Sequence, residues 1–237
     1  MDKKEITYKV PERLYDISVR QYQEYLKVLE KHKDDDDQEL LNLKSIEVFC
    51  NIPLKEVKKL PMHSVELILT SIAHCLNEDT PLIRTFKMVG TDGVEVEFGF
   101  EPELDKIAYG AYQDAEKYLY GTENLHRLMA VLYRPILTGY KDKYLIEEYK
   151  GSDHLAEIMK DAPVAVALGM QVFFWNLGIR LSKYTMDYMA EEISKRIASG
   201  GEQRLEESGE LINRYLHLHK TMSGELTRLQ NFHYTPA

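Results

Sequence analysis

The chain has 237 residues, 44% of them hydrophobic and 29% charged, which suits a globular protein able to bury a sizeable core. Thirty basic residues against 39 acidic ones give a net charge of -9. That balance argues against a general nucleic-acid binder, which needs a basic stripe to release counterions, and suits a protein that resists self-association or meets basic partners.

The N-terminal Met1-Asp2-Lys3-Lys4-Glu5 has no apolar run of the signal-peptide kind, and Cys50 and Cys75 are the only cysteines. Both features predict reduced, buried thiols in a cytosolic protein. Ile6, Tyr8 and Val10 alternate with polar residues up to Pro11, an extended pattern. Asp16 or Ser18 can cap a helix reaching about Lys33, with Val19, Tyr22, Leu26 and Leu29 on one face. The run Asp34 to Asp37 repels itself and reads as an exposed turn that also supplies the anionic cap of the next helix, Gln38 to about Asn51. Pro53 and Pro61 bracket a short helix, Leu54 to Leu60, and Ser64 caps Val65 to Leu76, whose nearly all-round apolar character predicts burial.

One clear β signal follows. Phe86 to Val89 and Val94 to Phe98 flank Gly90-Thr91-Asp92-Gly93, a hairpin with an Asp-Gly turn. Two strands are marginal alone, so they are expected to pair with the extended N-terminal segment or to lie on helices. Helices resume from Lys106 to Leu119 and from Glu123, capped by Thr122, to Tyr133, where Arg134-Pro135 stops the helix. Residues 136 to 151, rich in Tyr and Lys, are expected to form a loop, followed by a short helix from Asp153 to Lys160.

The last third predicts a long helical hairpin. Pro163 to Ala198 carries an apolar stripe at Val166, Met170, Phe173, Leu177, Leu181, Tyr184 and Tyr188. Ser199 to Arg204, with Gly200 and Gly201, would turn the chain back. From Leu205 to Leu229, the positions Leu205, Ser208, Ile212, Tyr215, His219, Met222, Leu226 and Leu229 alternate spacings of three and four, the heptad seam of a helix facing a partner. The predicted partner interface is therefore Leu205, Ile212, Tyr215, His219, Met222, Leu226 and Leu229, followed by an extended tail. The most apolar stretch, Val164 to Ile179, is shorter than a membrane span and contains Gln171 and Asn176. The expected fold is mainly α: a multi-helix domain over 1–151 with one small β-hairpin, then a long antiparallel helical hairpin over 152–237.

Chemistry-bearing motifs are sparse. Glu123-x-x-His126 has the spacing of a di-iron half-site, but such sites need a second motif and two further helical glutamates, so Glu123 reads as an early-turn acid complementing the helix dipole. His217 and His219 are too close in sequence for one helix face, and His63, His74, Cys50 and Cys75 lack the paired spacing of a zinc site. No phosphate-binding glycine loop, dinucleotide fingerprint or nucleophile elbow occurs. Gly169 and Gly178 lower helix propensity inside an apolar helix and imply a close approach by a neighbouring helix. Phe173-Phe174-Trp175 reads as a packing centre, and the sixteen tyrosines against one tryptophan suit interfaces or amphipathic core edges. No catalytic residue, cofactor or metal is assigned.

The run His126-Arg127-Leu128-Met129-Ala130-Val131-Leu132-Tyr133-Arg134-Pro135-Ile136 resembles a block in tailed-bacteriophage morphogenesis proteins, especially those of crAss-like and marine phages. Similar patches are Gly99-Phe100-Glu101-Pro102-Glu103-Leu104-Asp105 before it, the apolar run Ala167 to Gly178 after it, and the opening Leu14-Tyr15-Asp16-Ile17-Ser18 with Gln21-Tyr22. The likeness spans most of residues 10 to 190 as short patches. It implies a non-enzymatic tail assembly chaperone that works in the host bacterial cytoplasm and binds tail or neck proteins through helical surfaces. The alternative is a permanent virion component, such as a head-tail ring or adaptor subunit or a packaged cargo protein, where a homo-oligomer or ring is expected. Neither reading involves sequence-specific nucleic-acid binding or a membrane.

Overall fold

The computed structural model describes residues 8–33, 37–90, 93–119, 121–140 and 143–198. Among them are eight α-helices and one four-stranded antiparallel sheet. The chain divides into two compact units, Met1–Met170 and Gln171–Ala237. The second arm of the expected C-terminal hairpin lies outside the described residues.

Helix α1, Val19–Lys31, starts where the sequence places it. The Ser18 hydroxyl accepts from the Gln21 amide at 3.2 Å, while Gln21 Oε1 accepts from the Ser18 amide at 3.0 Å, a reciprocal capping box. The other early amides are served from far along the chain: Val19 N–H donates to the Ala162 carbonyl at 2.9 Å and Arg20 N–H to the Lys160 carbonyl at 2.7 Å. In return, Val164 N–H donates to the Ile17 carbonyl at 2.8 Å. Gln21 Nε2 then reaches the Val48 and Phe49 carbonyls, at 3.0 and 3.1 Å, in the last turn of α2, Gln38–Cys50. At the other end of α2, Asp37 accepts from the Leu40 amide at 2.9 Å, as its acidic cap role predicts. Asn51 ends the helix in the left-handed conformation, φ 53°.

After α3, Leu54–Val57, comes α4, Met62–Leu76, which begins directly after Pro61, three residues earlier than a Ser64 cap would place it. Its all-round apolar character does not translate into all-round burial. Ile72 and Cys75 are buried, whereas Met62 is 69% and Leu67 is 59% exposed. The buried side meets the N-terminal segment, where the Pro11 carbonyl accepts from Ser71 Oγ at 2.7 Å.

The expected hairpin forms as β1, Thr85–Val89, and β2, Glu95–Phe100, with Gly93 at φ 78° in its turn. The strand next to β2 is not the N-terminal segment but β3, Tyr133–Tyr140, which forms a second hairpin with β4, Lys143–Ile146. Most of the segment expected to be a loop before residue 147 is therefore strand, and Tyr133, expected to end a helix, opens β3. Pro135 obscured this, because proline removes a ladder donor and is rare in inner strands. Here it pairs with Phe98 at the last position of the β2–β3 ladder, beside a register shift between Ile136 and Thr138. The sheet's inner face carries the aromatic core. Phe86 stacks on Phe98 at 5.6 Å, and Tyr133 meets Phe86 and Phe100 edge-on at 5.4 and 5.2 Å.

Between β2 and β3 lie α5, Tyr109–Tyr118, a 3-10 turn at Thr122–Asn124, and α6, Leu125–Leu132. Helix α7, Asp153–Met159, leads to α8, Val164–Ala198, whose range matches the first arm of the expected hairpin. The close approach inferred at Gly169 exists, but the neighbour is an irregular strap, not a helix. A Cβ at Gly169 would overlap the Pro81 carbonyl oxygen and lie 3.0 Å from its carbon. Thr80 Oγ1 donates to the Ala165 carbonyl at 3.0 Å on the same turn. Two further carbonyls of the strap are taken: Tyr133 donates to Ile83 at 2.7 Å and the Phe100 amide to Arg84 at 2.8 Å.

Gly169→Ala would gain about 1 kcal/mol in helix propensity if nothing touched the site. Because backbone occupies the space, the expected outcome is a net loss of about 2 kcal/mol, typical of forced overpacking, read as a lower urea midpoint with an unchanged m-value.

Candidate functional site

The predicted interface residues Leu205, Ile212, Tyr215, His219, Met222, Leu226 and Leu229 all lie outside the described residues, as do His217 and the aspartates 34–36. What the described residues offer is the first arm of the hairpin and three groups of buried polar side chains.

The α8 stripe changes character along its length. Val166 and Met170 are fully buried, Phe173 and Leu177 are half-buried, and Tyr184 and Tyr188 are 70% and 65% exposed. Ile179 and Met186 are exposed beside them. Phe173 and Phe174 meet edge-on at 5.3 Å, yet Phe173, Phe174 and Trp175 are only half-buried. The aromatic centre of the first unit is the Phe86, Phe98, Phe100 and Tyr133 group instead.

On the outer face of the sheet, Arg134 and Glu101 form an ion pair with side chains only 9% and 11% exposed. Arg134 projects from β3 opposite Gly99 of β2, on the side away from the aromatic core. The ring of Tyr144 lies over Gly99, where a side chain would collide with it, and its hydroxyl donates to the Phe100 carbonyl at 2.7 Å. The Arg134 guanidinium sits 5.9 Å from the Tyr149 ring centre, and Tyr149 donates its hydroxyl to Asp114 of α5. Burial pushes the Tyr149 hydroxyl up to about 12, with the Asp114 carboxylate acting in the same direction. That phenol stays protonated at neutral pH, and its contacts with Asp114 and Arg134 link α5 to β3. Arg134 Nε is the one buried side-chain polar atom without a hydrogen-bond partner among the described residues.

The second group contains Gln23 of α1 and His126 of α6, both buried. Gln23 Nε2 lies 2.7 Å from the Thr122 carbonyl, 3.0 Å from that of Glu123 and 3.1 Å from His126 Nδ1. His126 thus faces an amide donor, while the Glu123 carboxylate is exposed and accepts from Asn124. The two side chains of the Glu-x-x-His motif therefore have separate surroundings. Gln23 was missed in sequence, although its place among Val19, Tyr22 and Leu26 on the buried face of α1 is the kind of signal that marks a buried polar group.

Cys50 and Cys75 are free and buried, whereas His63 and His74 are exposed on α4. Burial raises both thiols to about 11, well above the range of a reactive cysteine. Among the described residues no three His, Cys, Asp or Glu side chains are grouped to hold a metal ion, and no helix is long and apolar enough to cross a membrane. No protein-family model matches this chain, and no curated protein or solved structure matches it either.

Glu101→Gln should lower stability by about 3 kcal/mol, because it leaves a buried guanidinium without its counter-charge. The double variant Glu101→Leu with Arg134→Met should recover most of that loss in urea unfolding, since a buried ion pair and an apolar pair of similar volume are often close in free energy.

Proposed function

We propose that this chain is a non-enzymatic bacteriophage morphogenesis protein of the tail assembly chaperone type, binding tail or neck proteins through helical surfaces while the virion is built. The observation that carries the reading is the α8 stripe. One heptad-spaced row is core at Val166 and Met170 and exposed at Tyr184 and Tyr188. Large amphipathic side chains presented in a row on a helix suit helix-to-helix or helix-in-groove recognition. Tyrosine adds contact area at low entropic cost and keeps a polar tip.

The resemblance to phage morphogenesis proteins supplies the biological setting. Its patches are concentrated in the packing framework: Gly99 and Phe100 pair with Arg134 and Tyr133 in the β2–β3 ladder, and Ile17 bonds the start of α8. Those residues supply architecture, and the interaction is assigned to the helical surfaces. A permanent ring or adaptor subunit is the competing reading, and the same exposed stripe would serve it.

Mass spectrometry of purified virions separates the two. Absence of the chain supports the chaperone; presence at a ring-like copy number overturns it in favour of the structural subunit. For the surface itself, Tyr184→Asp with Tyr188→Asp should weaken association at least tenfold in sedimentation and partner pull-down. Exposed positions of this kind should change stability by no more than about 0.5 kcal/mol. Ile212→Asp with Met222→Asp should have the same effect on association. Unchanged mass and unchanged capture in both double variants would refute the interface.

A further inference from the structure

We propose that Gln23 and His126 form an acid-released latch between α1 and the segment Thr122–Leu132. The argument starts from donors and acceptors. A side-chain amide nitrogen has two hydrogens, and three acceptors lie within reach of Gln23 Nε2, the Thr122 and Glu123 carbonyls and His126 Nδ1, so one hydrogen is shared between two of them. The arrangement works while Nδ1 keeps its lone pair. A proton on Nδ1 would set donor against donor, and turning the Gln23 amide over would leave both carbonyls facing an oxygen. The site therefore fits one charge state of the ring.

The surroundings oppose the added charge as well. His126 is the second residue of α6, at the positive end of the helix dipole. Lys160 just after α7, Arg127 of α6 and Arg20 of α1 oppose that charge, and Glu157 of α7 acts the other way. Each cation among them is already paired: Lys160 with Glu157 at 2.7 Å, Arg20 with Asp161 at 2.9 Å and Arg127 with Asp153 at 3.4 Å. Burial, followed by Lys160 and Arg127, holds the imidazole down at about 4. The unfolded ring takes its proton near 6.5. A depressed value in the folded state means that the stabilisation is complete above about pH 6.5, falls as the pH drops towards 4, and changes no further below that. Opening that frees the ring becomes easier by roughly 60-fold at pH 4.5 than at pH 7.

NMR titration of the full chain, labelled in histidine, is the direct test. The ring signal that disappears in His126→Asn should titrate near pH 4, and a midpoint within about half a unit of 6.5 overturns the proposal. Asn places an acceptor oxygen near the Nδ1 position and carries no titrating proton. Hydrogen exchange at pH 7 and 4.5, corrected for intrinsic rates, should show α1 and residues 122–132 losing protection in the natural chain and keeping it in His126→Asn. Equal loss in both overturns the latch even if the ring titrates low. Should the variant not fold, the signal is assigned by sequential connectivity in the natural chain, and its midpoint decides.

Discussion

Buried backbone groups must find partners, and in the first unit much of that demand is met across long sequence distances rather than locally. The opening amides of α1 are served by carbonyls at 160 and 162, and the first amide of α8 by the carbonyl of Ile17. Gln21 closes the end of α2, and Gln23 holds the turn that opens α6. The strap between α4 and β1 has no regular structure of its own, yet it runs against α8 because tyrosine hydroxyls, a threonine and a strand amide satisfy its polar atoms or those it covers. Several tyrosines thus act as hydrogen-bonding core residues, which accounts for part of the tyrosine excess without invoking an interface.

These cross-links explain why a sheet of four short strands persists in a helical protein. Its inner face is a sealed aromatic layer, and its outer face is covered over Gly99 and Arg134 by Tyr144 and Tyr149. A charged pair in such a place contributes little net free energy relative to apolar residues, but either partner alone would be costly. Glu101 and Arg134 therefore act as a pairing rule for β2 and β3.

Elements with local signals were legible in the sequence. Capping at Ser18 and Asp37, the Gly93 turn and the span of α8 all follow from residues within a few positions of the feature. What could not be read depends on distant partners. Tyr133–Tyr140 becomes strand because β2 is there to pair with it, Lys143–Ile146 pairs with that strand in turn, and Pro135 is tolerated because the β2–β3 ladder stops at that point. Helix α4 looked buried because composition does not reveal which neighbours a helix will have, and Gly169 pointed to a close approach without revealing that a strap would make it. The candidate site was less legible still: the apolar row of α8 was visible, but its passage from core to surface was not, and neither Gln23 nor the Arg134 clamp announces itself by motif.

The two thiols have a consequence of another kind. Cys50 ends α2 and Cys75 lies in the last turn of α4, each enclosed and held in its unreactive form. A reagent that modifies only thiolates in free solution would therefore meet them chiefly when this pair of helices separates. The chain carries its own clock for that event, ticking at the rate at which its amino-terminal layer breathes.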